Sequence, residues 1–169
     1  EGGFLEQPVE IDALQMAPGE RNEILVNMED GQTRALMADM LAVDDSLLEA
    51  LPPPTKRVVE LRVDPALDSQ GTLVKNLKTI TPLSRKDAVV TRDVELQMEH
   101  DGGDDMHSMF AINGTSMDMN RIDETITRGD TEIWRITADE MDHPFHVHGT
   151  SFQILSENGK PPAPEDRGW

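Results

Sequence analysis

The sequence predicts an all-β protein, built as a sandwich or a barrel of short strands. Apolar and polar residues alternate in several short segments, which is the pattern of half-buried strands. Turn sequences such as Ala17-Pro-Gly-Glu20 and Glu157-Asn-Gly159 separate these segments at regular spacing. One stretch, 45–51, is typical of a short helical turn, so alternating strand and helix units are not indicated. The predicted strands are 9–14, 22–28, 58–63, 93–98, 122–126, 132–137 and 152–155.

Charge and composition exclude several classes of partner. The chain has 15 Lys and Arg residues against 33 Asp and Glu, a formal net charge of -18. This balance predicts no nucleic-acid partner, because phosphates require cationic side chains. No apolar run is long enough to span a membrane, so no membrane span is predicted. The chain has no cysteine, and thiolate ligation of a metal is therefore impossible within it.

The 169 residues are sufficient for one large domain or two small ones. Strand periodicity fades after residue 63, where Pro65, Gly71 and Pro82 lie among polar residues. We therefore predict two parts, 1–63 and 89–169, joined by a linker over 64–88. The chain begins without an initiator Met and stops after Trp169 without a capping element, so we expect an internal piece of a longer protein.

The most informative feature is the histidine segment, residues 143–149, with the sequence His-Pro-Phe-His-Val-His-Gly. Its imidazoles alternate with apolar side chains, which predicts a strand with one apolar face and one imidazole face. Neutral imidazole suits copper, zinc and non-haem iron. Two residues along a strand cover roughly 6.6 Å, so His146 and His148 could converge on one ion or serve separate ions of a close cluster. His143 lies beyond Pro144, which bends the entry to the strand and favours a separate centre.

Several segments together resemble the second half of a bacterial three-domain multicopper oxidase. The resemblance implies a cupredoxin-like Greek-key β-sandwich, with 1–63 closing the middle cupredoxin domain and 89–169 opening the last one. It also implies a periplasmic or otherwise exported protein, although the chain has no signal peptide. The segments that carry the resemblance are 1–5, 14–26, 112–120, 129–136, 143–149, 156–162 and 167–169.

The resemblance assigns the three histidines to different copper ions. His143 would bind the type 1 copper that accepts electrons from substrate, His146 the type 2 copper and His148 one of the type 3 pair. The cysteine-containing segment and the other histidine pairs of the family are missing here. Its partners would therefore be the missing segments of the same protein, dioxygen and a reducing substrate. We expect the fragment alone to be inactive, because both centres are incomplete.

The resemblance also implies an accessory copper(I) site formed by Met98, Asp104, Asp139 and Met141. Thioethers are soft ligands that suit Cu(I), and a carboxylate adds negative charge. The alternative interpretation is structural: Met98 faces the core and fills space there.

Three functions remain open from the sequence. The favoured one is a multicopper oxidase that couples oxidation of Cu(I) or an organic reductant to reduction of dioxygen to water. The alternative is a copper-free periplasmic scaffold of cell division with the same fold, which Arg121-Ile-Asp123 and residues 164–169 resemble. The third is a cupin-like barrel with a single metal on His146 and His148; Glu157 lies too far along the chain to be its usual third ligand.

Overall fold

A computed structural model of the chain describes residues 3–17, 19–29, 31–38, 56–67, 71–98, 110–138 and 143–168. Within these ranges the regular elements are strands and short 3-10 helices, with no α-helix. The predicted helical turn at 45–51 lies outside the described residues. The strands are β1 (Thr33–Ala38), β2 (Lys56–Arg62), β3 (Ala88–Met98), β4 (Phe110–Ile112), β5 (Thr115–Ser116) and β6 (Thr131–Ala138), and the 3-10 helices are Arg85–Asp87 and Pro164–Asp166.

The larger sheet has four strands in the order β5-β4-β3-β6, with β3 as its longest member. β3 pairs antiparallel with β4 and parallel with β6. A parallel pair needs a crossover, which the chain between β4 and β6 provides. Two buried apolar side chains lie in this sheet, Val94 at 3% and Ala111 at 5% exposure. The core of the described structure is therefore at β3 and β4.

A tight turn at Asn113 and Gly114 joins β4 to β5. Both residues have positive φ, 50° and 70°, as a two-residue hairpin turn requires. The Asn113 side chain also forms hydrogen bonds with the backbone of β3. Its Oδ1 accepts a hydrogen bond from the Glu95 amide at 2.8 Å, and its Nδ2 donates to the Asp93 carbonyl at 3.0 Å. The turn is thus fixed both by its backbone and by its own side chain.

The smaller sheet is an antiparallel pair of β1 and β2, with a register shift between Leu36 and Met37. All six residues of β1 are exposed. Val58 of β2 is 61% exposed, so neither strand supplies a buried apolar face. A two-stranded ribbon of this kind is only marginally stable by itself.

The all-β prediction is confirmed, and so are the strands predicted at 58–63, 93–98 and 132–137. The first overlaps β2 over residues 58–62, and the other two lie inside β3 and β6. The strands predicted at 9–14, 22–28, 122–126 and 152–155 are wrong, as is the strand proposed for the histidine segment, because these residues form no ladder. Alternation reports a preferred extended backbone, whereas a strand also needs a hydrogen-bonded partner. β1 and the β4–β5 hairpin were not predicted.

Of the described residues of the predicted linker, 64–67 and 71–88, only Ala88 belongs to a strand, as the first residue of β3. Side chains nevertheless fix the linker backbone on two sides. The Glu6 carboxylate accepts a hydrogen bond from the Ile80 amide at 2.8 Å. On the other side, the Gln153 side chain accepts from the Leu83 amide at 2.8 Å and donates to the Thr81 carbonyl at 3.0 Å. The linker therefore connects the N-terminal residues with the chain that follows the histidine segment. The domain limits themselves stay a prediction.

Candidate functional site

The histidine segment follows β6 as an extended stretch that belongs to neither described sheet. The alternation expected from its sequence is present. Phe145 and Val147 are half-buried, whereas His146 and His148 are exposed. The extended backbone alone suffices for this, since it directs successive side chains to opposite sides.

Aromatic contacts hold the apolar side of the segment against β6. The rings of Trp134 and Phe145 have centroids 6.1 Å apart and are inclined at 54°. On its other side Phe145 meets Phe152, with centroids 6.4 Å apart at 55°. Tilted pairs at these distances are favourable because the positive edge of one ring meets the negative face of the other. Phe145 is therefore the anchor of the histidine segment.

The indole that contacts Phe145 is itself fixed by a carboxylate. Trp134 Nε1 donates to Glu132 Oε2 at 2.8 Å, and Arg92 binds the same carboxylate with two nitrogens at 2.6 and 3.0 Å. Arg92 also donates to Glu124 and to the Thr125 carbonyl. Only 7% of the Glu132 side chain is exposed. The hydrogen bonds from Arg92 and then from Trp134 lower the pKa of Glu132, so it stays ionised.

The imidazole rings of His146 and His148 meet edge to face, with centroids 4.6 Å apart at 83°. The side chains thus approach one another although their backbone positions are two residues apart. Among the described residues, however, no group of three or more His, Asp or Glu side chains is placed to hold a metal ion. The chain also lacks cysteine. The donors present therefore do not fit a complete copper centre of the type 1 or trinuclear kind. Metal binding by these histidines stays a prediction.

An open groove of about 770 Å³ lies beside the two rings. A basic residue from the N-terminal part of the chain, Arg21, borders it. Arg21 donates through its guanidinium to the Gly19 carbonyl at 2.9 Å, so the turn at residues 17–20 helps to orient it. We call this the Arg21 groove. Its lining residues are Arg21, His146, Val147, His148, Gly149, Thr150 and Ser151.

His143 lies apart from the other two histidines, at a second cavity of about 290 Å³. Its Nδ1 is 2.7 Å from the Pro144 carbonyl oxygen, so Nδ1 carries the proton and Nε2 is the nitrogen available to other partners. Met98 and Met117 line the same cavity. Of the predicted accessory copper(I) site, Met98 is half-buried beside His143. Asp104, Asp139 and Met141 lie outside the described residues, and that site stays a prediction.

Comparison with known proteins identifies the second part of the chain. Residues 89–169 match the family described as multicopper oxidase. The match covers a little under half of the chain. The cupredoxin-like fold class and the resemblance noted in the sequence are thereby confirmed.

Three relatives match 99% of this chain and are each named cell division protein FtsP. The protein from Escherichia coli (strain K12) is 35% identical over 173 residues. Those from Salmonella typhimurium and Dickeya dadantii are 37% identical over 171 residues and 34% identical over 167 residues. The chain spans 34% of the length of each of these relatives.

These relatives correct the favoured functional prediction. The expectation that the parent protein is a multicopper oxidase enzyme is wrong, because relatives that match along almost the whole chain are named for cell division. The alternative, a cupredoxin-fold protein of cell division, is better supported. Similarity to a family indicates the fold, whereas the chemistry depends on the residues of the site. The similarity to the multicopper oxidase family therefore does not show that dioxygen or a reducing substrate is a partner.

Sequence reasoning missed the residues that organise the site. Arg21 and Trp134 lie in segments that carried the family resemblance, but neither was predicted to act at the site. Arg92 and Gln153 gave no local signal, because the partners of Arg92 are 32 to 40 residues away in the sequence and those of Gln153 are 70 or more residues away.

Among the described residues, the structure contains no helix with the length and apolar character that a membrane span needs.

Proposed function

We propose that the protein is a scaffold of cell division that acts in the periplasm without copper. The observation that carries this proposal is the similarity to cell division proteins along 99% of the chain, at 35% and 37% identity. Similarity of that extent includes both the first part of the chain and the part that matches the multicopper oxidase family. A role in cell division would therefore involve both parts of the chain and would need no copper centre in the second part.

The arrangement of the described side chains supports a copper-free role. Among the residues that the structure describes, no group of three or more His, Asp or Glu side chains is placed to hold a metal ion. The described residues bring two imidazoles together and separate the third, which lies at another cavity. In this proposal the histidine segment is retained as a surface feature whose apolar side is held by Phe145.

In two loops that resemble the cell-division branch, an arginine side chain donates a hydrogen bond to a nearby backbone carbonyl. Arg121 donates to the Ser116 carbonyl at 2.7 Å and pairs with Asp123. Arg167 donates through Nε to the carbonyl of the buried Pro162 at 2.9 Å. Side-chain hydrogen bonds to loop carbonyls reduce the number of loop conformations, so less entropy is lost when a partner binds. We propose these loops as contact sites for a division partner.

The test is deletion of the gene in its own host, followed by measurement of cell length. We expect elongated cells that have failed to divide, and restoration of normal length by the full-length protein. Restoration should be equal in copper-replete medium and in medium with a copper chelator. The variant His143→Ala should restore division as well as the unchanged protein does, because no copper is needed at that position. Unchanged cell length after deletion would refute the role in division. Loss of restoration under copper depletion, or with His143→Ala, would refute the copper-free proposal.

A further inference from the structure

We propose that the turn at Asn158 and Gly159 is a site of spontaneous deamidation, at which the asparagine amide is converted to a carboxylate. Asparagine is among the thermolabile residues, and a following glycine leaves its own backbone nitrogen accessible because it has no side chain. Of the six asparagines in the chain, two precede a glycine, Asn113 and Asn158. The sequence alone therefore offers two equivalent candidates, and the structure distinguishes them.

The reaction needs water and no other reagent. The Gly159 nitrogen attacks Cγ of Asn158, so that a bond forms between these two atoms while the bond from Cγ to Nδ2 breaks. Ammonia leaves with the proton of the Gly159 amide, and a cyclic imide remains. Water then adds to one of the two imide carbonyls and opens the ring. Opening at Cγ gives aspartate, opening at the backbone carbonyl gives isoaspartate, and no atom is oxidised or reduced.

The two candidate turns have the same backbone conformation and are both exposed. At Asn113 and Gly114 the φ angles are 50° and 70°. At Asn158 and Gly159 they are 48° and 76°, so both are two-residue hairpin turns of the same kind. All four residues are exposed, so water reaches both turns. A difference in reactivity must therefore come from the hydrogen bonds that hold each turn.

Hydrogen bonds restrain every group that would react at Asn113. Its side chain binds the β3 backbone through Oδ1 and Nδ2, at 2.8 and 3.0 Å. The Gly114 amide, which would be the attacking nitrogen, donates to Oε1 of Gln97. The Asn113 amide also donates to the Glu95 carbonyl at 3.0 Å. Attack at this turn would break several of these bonds, so the free energy that they contribute slows the reaction.

At Asn158 the hydrogen bonds lie on either side of the turn and do not involve the reacting groups. An isolated bridge joins Glu157 to Lys160 through two backbone hydrogen bonds of 2.8 Å. Within the part of the chain that the structure describes, the Asn158 side chain and the Gly159 amide have no hydrogen-bond partner. An isolated bridge also opens by local fluctuation more readily than a hairpin in a four-stranded sheet. The Gly159 nitrogen can therefore approach Cγ of Asn158.

The new charge would lie beside one of the two loops proposed to contact a division partner. The 3-10 helix Pro164–Asp166 belongs to that loop. Burial and then nearby carboxylates, which include Glu157, raise the pKa of Asp166. Glu157 directly precedes Asn158, so a carboxylate at position 158 adds to the negative charge near this loop. The importance of the loop rests on the proposed function, whereas the deamidation itself does not.

The experiment follows the full-length protein during incubation at neutral and at mildly alkaline pH, below the temperature at which it unfolds. Peptide mass spectrometry measures conversion at each asparagine, and digestion in heavy-oxygen water marks any deamidation that arises during digestion. We expect conversion at Asn158 to be at least about tenfold faster than at Asn113, because several hydrogen bonds protect the latter. Both rates should rise with pH, since hydroxide removes the proton of the attacking amide.

Unfolding and two substitutions show whether hydrogen bonds cause the difference. In guanidinium chloride the two sites should react at similar rates, because both are Asn-Gly pairs. Gln97→Ala removes the acceptor of the Gly114 amide and should accelerate conversion at Asn113 severalfold, with no change at Asn158. Asn158→Gln is the control that removes the proposed site, since a glutamine side chain closes the ring much more slowly. Conversion at Asn113 should be unchanged in that variant.

Three results would overturn the proposal. Equal rates at Asn113 and Asn158 in the folded protein would show that the hydrogen bonds at Asn113 give no protection. An intact Asn158 in the folded protein, under conditions that convert both sites in the unfolded chain, would show that the turn itself prevents the reaction. A faster reaction at Asn158 that persists to the same extent in guanidinium chloride would assign the difference to neighbouring residues in the sequence.

Discussion

The four-stranded sheet and the histidine segment lie next to each other, but different interactions order them. In the sheet, β3 is hydrogen-bonded to a strand on each side, and its residue Val94 is buried. The histidine segment has no such ladder and is held through the ring of Phe145. This difference indicates that the alternating exposure of the histidines depends on an extended backbone and on the aromatic contacts of Phe145. The sheet should therefore tolerate loss of that anchor, whereas the segment should not.

The largest expected effect comes from Trp134→Ala, which removes the contact between the two regions. Loss of a large, half-buried aromatic side chain should lower the free energy of unfolding by about 3 kcal/mol. Loss of the indole also leaves the Glu132 carboxylate with one hydrogen bond fewer. Urea denaturation measures the total effect, and amide hydrogen exchange of residues 143–149 measures the local one. We expect these amides to exchange faster, while those of β3 keep most of their protection.

The matched control for that substitution is Trp134→Phe. It keeps an aromatic ring for Phe145 but loses the donor to Glu132, so a loss of about 1 kcal/mol is expected. If Trp134→Ala leaves hydrogen exchange in the histidine segment unchanged, the aromatic anchor is not what orders that segment.

The next effect in size comes from Val94→Ala, which acts on the sheet alone. Val94 is 3% exposed, and removal of two buried methyl groups should cost about 2 kcal/mol. Val89→Ala in the same strand is the control: Val89 is 63% exposed, so its change should stay within about 0.5 kcal/mol. Equal losses for the two variants in urea denaturation would show that β3 has no buried side in solution.

The same contrast explains how much the sequence could predict. The strands β2, β3 and β6 were predictable because their alternating residues coincide with a real ladder. The segments at 9–14 and 22–28 alternate as well but find no partner among the described residues. Alternation is a local property, and a partner strand is a property of the whole fold. β1 was missed because its apolar residues, 35–38, follow one another without alternation, so its sequence has no strand period.

For the site, the sequence could identify the histidines and not their surroundings. The separation of His143 from His146 and His148 was predicted from Pro144, and the structure places them at two different cavities. The presence of Arg21 beside these histidines depends on folding of a distant part of the chain. The preference for an oxidase over a cell-division protein is wrong, because a family fold does not by itself carry the chemistry of the family.

A smaller effect is expected at the junction between the linker and the chain after the histidine segment. Gln153→Ala removes one accepted and one donated hydrogen bond to linker backbone groups, with an expected cost of about 1 kcal/mol. Gln153→Glu should retain the bond from the Leu83 amide and lose the one to the Thr81 carbonyl, so its cost should be smaller. Urea denaturation compares the two. A loss for Gln153→Glu as large as that for Gln153→Ala would show that the bond from the Leu83 amide contributes nothing.

The smallest effect is the net pH dependence, because two carboxyl groups act in opposite directions. The pKa of Glu132 is lowered from its ordinary value near 4.5, chiefly by the hydrogen bond from Arg92. Its stabilisation is therefore present above about pH 4.5 and is lost as the pH falls through the folded-state pKa. The pKa of Asp166 is raised from 3.8, first by burial and then by nearby carboxylates. Its stabilisation is present below pH 3.8 and is lost as the pH rises through its folded-state pKa.

Single substitutions separate the two groups. Asp166→Asn should raise the urea midpoint at neutral pH, since it removes a carboxylate that is costly to ionise. Glu132→Gln should lower the midpoint at neutral pH and have less effect in acid, where the unchanged protein has already begun to lose this ion pair. For each variant, the shift of the urea midpoint at neutral pH is compared with its shift at acid pH. If the two shifts are equal for both variants, neither carboxyl group changes its pKa on folding. In that case the hydrogen bonds around Glu132 would position Trp134 without any linkage to protonation.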